Sequence, residues 1–132
     1  MRIGSAATLA LAAASFASGA VAADRHRPIG KETTIAFASN GGIRNWEAGP
    51  PKSKILYVQD RRLDWYRVEL SGPCLDRNRG DMTINYTTDA IGAFDRFSTL
   101  TFPNAGYTVC GVKSIQTSLP PPGQPGAQKP GR

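Results

Sequence analysis

Histidine and cysteine are scarce in this chain, and their scarcity excludes several kinds of active site. The sequence has one histidine, His26, and two cysteines, Cys74 and Cys110, with no CxxC spacing. A zinc site needs several such ligands, and a nucleophilic side chain needs an adjacent base, most often histidine. No glycine-rich phosphate loop leads into a helix either. The composition therefore argues against a metal centre, a bound cofactor and nucleophilic catalysis.

Long apolar runs are also missing, except at the N-terminus. Arg2 is followed by an alanine-rich apolar stretch, residues 3–16, and then by small residues up to Ala23. One early cation, a short apolar stretch and small residues before a cleavage point are typical of a secretory signal peptide. A membrane helix needs about 20 strongly apolar residues, so we expect no transmembrane segment. The pattern predicts cleavage near Ala22 or Ala23 and a periplasmic or secreted protein.

The predicted compartment gives the two cysteines a structural role. Outside the cytoplasm, an even number of cysteines in a short exported chain generally indicates disulfides. Cys74 and Cys110 are therefore predicted to be bonded to each other. Closing a loop of this length stabilises a fold by about 4 kcal/mol in the chain-entropy model. That is a large share of the net stability of a small domain.

Helical periodicity is nearly absent from the rest of the chain, where apolar and polar residues alternate instead. The clearest strands, residues 54–59 and 64–70, are separated by a turn of hairpin length. Other strands are predicted at 33–38, 43–47, 82–88, 94–102 and 107–117. The sequence predicts an all-β fold, a small antiparallel β-barrel or sandwich of six to seven strands with one disulfide. Its core is expected to include Tyr66, Val68, Ile84 and Phe97.

Composition also predicts the domain boundaries. Residues 1–23 form the signal peptide, and residues 24–30 are expected to be a mobile N-terminal arm. The β domain covers residues 31–118. The last segment, residues 119–132, is rich in proline and glycine and is predicted to be a disordered tail, because it has too few apolar residues to build a core.

One group of residues is a candidate binding face. By strand parity Trp65 and Arg67 share the side of their strand opposite Tyr66, and Arg61 and Arg62 lie in the preceding turn. Guanidinium groups beside an indole suit contacts to sugars or anions. The formal net charge is +6. Outside the cytoplasm such a charge favours an anionic envelope component or an acidic protein over nucleic acid. An ordinary solvated surface with buried tryptophans is the competing interpretation.

Two other functions fit a small exported β protein. One is a secreted inhibitor of a cell-wall hydrolase. The other is a small glycan hydrolase that uses a pair of carboxylates, for which Asp60 and Asp64 beside the hairpin turn are the candidates. Nothing in the sequence separates these acids from ordinary surface charges. We therefore interpret the protein as a non-catalytic binding or cell-envelope accessory protein.

Several blocks of the sequence form a recognisable pattern. They are WYRVELSGPC at residues 65–74, FDRFS at residues 94–98 and the cysteine at position 110. This pattern resembles an uncharacterised family of small exported bacterial proteins, a domain of unknown function. The resemblance implies a compact β domain with one disulfide. It also implies a structural role for the FDRF segment, with Asp95 and Arg96 paired locally, and it implies no activity.

Overall fold

The structure, a computed structural model of the chain, describes residues 27–75, 83–105 and 108–127. The predicted signal peptide and His26 lie outside these ranges. Within them, the helical content is two 3-10 turns, Ala38–Asn40 and Pro103–Ala105. No helix among the described residues is long and apolar enough to cross a membrane.

Six antiparallel strands form one curled sheet, a half-barrel. They are β1 (Ile43–Ala48), β2 (Ile55–Asp60), β3 (Trp65–Leu70), β4 (Asn85–Tyr86), β5 (Thr99–Phe102) and β6 (Thr108–Ser118). Their order across the sheet is β1-β2-β3-β6-β5-β4. The long β6 strand pairs with β3 through its C-terminal half and with β5 through its N-terminal half. The predicted all-β class and the strand number are confirmed.

Three of the predicted strands are shorter than their sequence pattern suggests. The segment at residues 33–38 forms a single bridge, Ile35 to Phe94. Phe37 then takes a left-handed backbone, with φ of 58°, and leads into a 3-10 turn. In the described part of the second stretch, residues 83–88, the strand is β4, and β5 begins at Thr99 rather than at residue 94. Residues 33–38 and 94–102 carry apolar residues on both faces, and residues 82–88 have an alternating pattern longer than the two residues that pair. Alternation alone therefore does not show where pairing stops.

The FDRF segment contains a tight turn within the stretch predicted as a strand, residues 94–102. The Asp95 carboxylate accepts a hydrogen bond from the Phe97 amide at 2.9 Å, and the Ser98 amide donates to the Asp95 carbonyl at 3.0 Å. This turn points Phe97 into solvent, 77% exposed, while Phe94 is fully buried. The prediction of Phe97 as a core residue is therefore wrong, and Phe94 occupies the core instead.

The core fills the concave side of the sheet. On β3 the side chains of Tyr66, Val68 and Leu70 face inward, as their parity predicts, and Ile84 packs against them while partly buried. Besides Val68 and Leu70, the fully buried large side chains of this core are Ile35, Leu56, Val58, Leu75, Phe94, Leu100, Phe102 and Ile115. Burial of such side chains is the main favourable term in the stability of the domain.

Aromatic side chains join the two ends of the sheet. β1 and β4 are the first and last strands in the sheet order and share no backbone pairing. Trp46 of β1 lies 5.4 Å from Tyr86 of β4, between ring centroids, and Phe94 stacks edge-on against both rings. The Tyr86 hydroxyl also donates to the Ala38 carbonyl at 2.5 Å. The half-barrel is therefore closed by ring packing rather than by a strand ladder.

The predicted disulfide between Cys74 and Cys110 is confirmed. Cys74 follows β3 by four residues, and Cys110 lies on β6, with 6.2 Å between the two Cα atoms. The 36-residue separation spans β4 and β5. The bond thus links the segment that follows β3 to the part of β6 that pairs with β5.

The segment before residue 34 lies beside β6 as far as it is described. The Gly30 amide donates to the Thr117 carbonyl at 2.7 Å, and the Thr117 amide donates to the Lys31 carbonyl at 2.9 Å. The Thr33 amide donates to the Ile115 carbonyl at 2.9 Å. Residues 27–30 of the predicted arm therefore make ordered contacts, and the boundary at residue 31 stays a prediction.

Candidate functional site

A cleft of about 290 Å³ opens beside the turn between β2 and β3. Two segments form it, the stretch around Phe37 and the turn that follows β2. Its lining residues are Thr34, Ala36, Phe37, Gly42, Asp60, Arg61, Arg62 and Tyr66. The cleft therefore combines aromatic rings, two guanidinium groups and one carboxylate.

Asp60 holds the turn that forms one wall of the cleft. Its Oδ1 accepts hydrogen bonds from the amides of Arg62 and Asp64, both at 2.9 Å, and its Oδ2 accepts one from the Tyr66 hydroxyl at 3.1 Å. Aspartate is favoured at such positions because its short side chain reaches the amides just after it. Leu63 takes a left-handed backbone with φ of 69° to complete the turn. Both oxygens of this buried carboxylate thus have structural partners.

Tyr66 lies beneath this turn and keeps its proton over a wide pH range. Burial, followed by the negative charge of Asp60 and the hydrogen bond to it, raises the pKa of Tyr66 from 10.0 to about 12. The Arg27 guanidinium, 4.6 Å from the centroid of the ring, opposes this rise. The phenol is therefore neutral at physiological pH and acts as a hydrogen-bond donor to Asp60.

Arg27 closes the end of the half-barrel next to Tyr66. Its guanidinium lies 3.3 Å from Oδ2 of Asp64 and donates to the Trp65 carbonyl. The nitrogen near Asp64 is buried and has no aligned hydrogen-bond partner, so this contact is an ion pair rather than a directed bond. Sequence analysis missed Arg27, because a lone cation in a polar N-terminal segment carries no periodic signal.

Phe37 and two arginines form the exposed rim of the cleft. The Arg61 guanidinium lies 4.9 Å from the centroid of the Phe37 ring, which is 55% exposed. Arg62 is exposed as well. The loop that carries Phe37 closes tightly at Gly42, where an added Cβ would lie 2.3 Å from the Phe37 carbonyl oxygen. A cation over an aromatic face is attracted to it and loses part of its freedom, so Arg61 is partly ordered at the mouth.

The four residues of the predicted binding face fall into two places. Arg61 and Arg62 line the cleft. Trp65 and Arg67 lie on the outer side of β3, opposite Tyr66, and Trp65 is 6% exposed. A ligand at the cleft rim would therefore meet the two turn arginines and Phe37, not the Trp65 indole. The role of the four residues in binding stays a prediction. Phe37 was missed because its alternation with Ile35 made it resemble a strand residue.

The predicted carboxylate pair has other partners in the structure. Asp60 is bound as described above, and Asp64 pairs with Arg27. Among the described residues, no group of three or more histidine, cysteine or acidic side chains could hold a metal ion.

No family model matches this chain, and no curated protein or solved structure matches it either. The site is therefore interpreted from its own geometry.

Proposed function

We propose that this protein is a non-catalytic binding domain of the cell envelope and that the rim formed by Phe37, Arg61 and Arg62 holds an anionic ligand. The observation that carries the proposal is the pair of exposed guanidinium groups at the mouth of the cleft. The one acid that lines this cleft, Asp60, has both carboxylate oxygens engaged inside the turn. Its oxygens bond to backbone amides and a phenol rather than to the guanidinium groups, and two arginines against one acid leave the rim with a net positive charge.

The chemistry of the rim suits a phosphate group. Guanidinium groups bind phosphate through parallel hydrogen bonds, and the turn places two of them on consecutive residues. The exposed Phe37 ring beside Arg61 offers an apolar surface to the carbon part of the same ligand. Phosphorylated lipids and anionic polymers are the phosphate carriers that a basic exported protein would meet in an envelope.

The arrangement of the acids supports binding rather than hydrolysis. A glycan hydrolase needs two carboxyl groups that face one substrate, one as an acid and one as a base or nucleophile. Here Asp60 serves two backbone amides and a phenol, and Asp64 faces Arg27. Neither carboxylate is directed to a shared substrate position. We therefore assign no catalytic residue.

The test is isothermal titration calorimetry, in which inorganic polyphosphate is titrated into the oxidised full chain. Loss of two charge-assisted hydrogen bonds, each worth about 1.5–3 kcal/mol, should lower the affinity of the Arg61→Gln/Arg62→Gln variant at least tenfold. The matched control is Arg44→Gln/Arg96→Gln, which removes the same charge. Arg96 also lies 4.9 Å from an exposed ring, that of Phe97, but does not line the cleft.

Equal losses in the two double variants would show that net charge alone drives the binding, and no measurable binding by the unsubstituted chain would remove the proposal altogether. Vesicles of phosphatidylglycerol, with phosphatidylcholine vesicles as the neutral comparison, then distinguish a lipid phosphate from a soluble one. If the unsubstituted chain sediments with phosphatidylglycerol vesicles and the Arg61→Gln/Arg62→Gln variant does not, the phosphate group belongs to a lipid.

A further inference from the structure

The described part of the proline-rich tail, residues 119–127, lies against the sheet. It begins after Ser118, which is the register partner of Trp65 on β3. Six residues later the Gln124 side-chain amide donates to Oε2 of Glu47 at 3.0 Å, on β1. Since β3 and β2 lie between β6 and β1 in the sheet, the tail passes over both strands. Two consecutive turns follow, closed by hydrogen bonds from the Gln124 amide to the Pro121 carbonyl and from the Ala127 amide to the Gln124 carbonyl, both at 3.1 Å.

The face under this path carries two aromatic side chains among polar and charged ones. Registers place Glu47, Tyr57 and Arg67 in one outward row, next to Trp65 and Gln59 in a second one. Tyr57 is half-buried and Trp65 is 6% exposed although it points away from the core cluster. The path of the tail from Ser118 to Glu47 runs over this face. Its passage accounts for the burial of an indole on the convex side.

Neighbouring prolines of the tail differ in burial. Pro121 is less than 2% exposed, whereas its neighbour Pro122 is exposed. The two prolines lie in a turn, since the Gln124 amide donates to the Pro121 carbonyl at 3.1 Å and Gly123 has a φ of 91°. Proline restricts the backbone before binding, so a proline-rich segment loses little conformational freedom when it is seated. The structure thus covers one proline and leaves the next in solvent.

From these observations we infer that the outer face of β2 and β3 is a binding groove for proline-rich peptides, with residues 119–127 of the chain as its resident ligand. The inference does not depend on the proposed anion site, since that site lies at the turn and on the opposite side of β3. A tethered segment competes at an effective concentration in the millimolar range. A proline-rich partner would therefore enter the groove by displacing the tail.

The test uses the full oxidised chain carrying Trp46→Phe, so that Trp65 is its one indole. Pro121→Ser with Gln124→Ala should release the tail, shift the emission of Trp65 to longer wavelength and make it accessible to acrylamide. The matched control, Pro122→Ser, alters an exposed proline and should leave the emission unchanged. A peptide with the sequence of residues 119–127, added in trans, should reverse the shift. It should bind the released variant about 100-fold more tightly than the tail-bearing chain.

Three results would overturn the inference. They are an unchanged Trp65 emission in the release variant, no reversal by the peptide, and equal affinity of the peptide for the released and tail-bearing chains. A version of the peptide with alanine in place of its prolines should not bind, and equal binding by that version would also overturn it. Should the release variant fail to fold, nuclear Overhauser contacts between the Trp65 indole and proline rings in the unsubstituted chain decide the matter, because their absence contradicts a tail seated on this face.

Discussion

At the scale of single residues, the molecule depends on one buried carboxylate and the phenol beneath it. Asp60 organises the β2–β3 turn through two backbone amides and accepts a hydrogen bond from the Tyr66 hydroxyl. Burying a polar group is costly unless its hydrogen bonds are made, and here each group satisfies the other. The rim arginines owe their position to this turn. The same contacts that hold the proposed binding surface engage both carboxylate oxygens of Asp60.

The raised pKa of Tyr66 predicts a loss of stability at alkaline pH. The pKa is about 12 in the fold against 10.0 for an unperturbed tyrosine. The contribution is fully present below pH 10, where the phenol is neutral in both states. As the pH rises from about 10 to about 12, the unfolded chain ionises first, so the free energy of unfolding should fall, by at most about 2 kcal/mol.

The measurement is urea unfolding across that pH range, compared with Tyr66→Phe and with Tyr57→Phe as the outer-face control. Tyr66→Phe should flatten the pH dependence, although part of it remains because burial also raises the pKa of Tyr86. Tyr57→Phe should follow the unsubstituted chain. Superimposable curves for Tyr66→Phe and the unsubstituted chain would contradict the assignment.

At the scale of strands and turns, the regular hairpin carries the sheet and the irregular half carries the closure. Side chains alternate along β2 and β3, so that one set of apolar side chains fills the concave face while Tyr57 and Trp65 lie on the outer face. β4 and β5 are short, and the connection between them contributes Phe94 to the ring cluster that joins β1 to β4. Rings in edge-on contact add about 0.5–1.5 kcal/mol per pair beyond the area they bury.

This division predicts opposite outcomes for the two phenylalanines of the FDRF segment. Phe94→Ala removes a fully buried ring from the closing cluster and should lower the free energy of unfolding by about 3–5 kcal/mol. Phe97→Ala removes an exposed ring and should change it by less than about 1 kcal/mol. Urea unfolding of the two variants gives both values. A larger loss of stability for Phe97→Ala than for Phe94→Ala would show that the buried and exposed rings of this segment are wrongly assigned.

The sequence predicts the hairpin well because β2 and β3 have period-two alternation and a turn of standard length between them. It predicts the FDRF segment poorly because three apolar residues, Phe94, Phe97 and Leu100, occur at a spacing that no single strand face accommodates. The turn that resolves this conflict depends on side-chain hydrogen bonds of Asp95, which leave no mark in a hydropathy pattern.

The candidate site was predictable in part, for a similar reason. Arg61 and Arg62 were predicted as binding residues from their position in the turn. The contacts of Arg27 with β3 and of Phe37 with Arg61 arise from segments distant in sequence. Trp65 was assigned to the correct side of β3, but its burial depends on a tail that hydropathy alone predicts to be disordered.

At the scale of the whole molecule, size and covalent bracing belong together. A domain this small buries a modest share of its surface on folding and has a thin margin of stability. The bond between Cys74 and Cys110 closes a 36-residue separation and stabilises the native state by about 4 kcal/mol in the chain-entropy model. A reducing cytoplasm would remove that contribution. The fold and the proposed envelope function therefore share one requirement, an oxidising compartment.

Intact mass spectrometry of the chain expressed in its host, alkylated before and after reduction, tests that requirement directly. We predict a chain that begins at Ala23 or Asp24 and takes up alkylating reagent at Cys74 and Cys110 after reduction, but not before. A chain that still begins at Met1 and is alkylated at both cysteines without reductant would contradict the account.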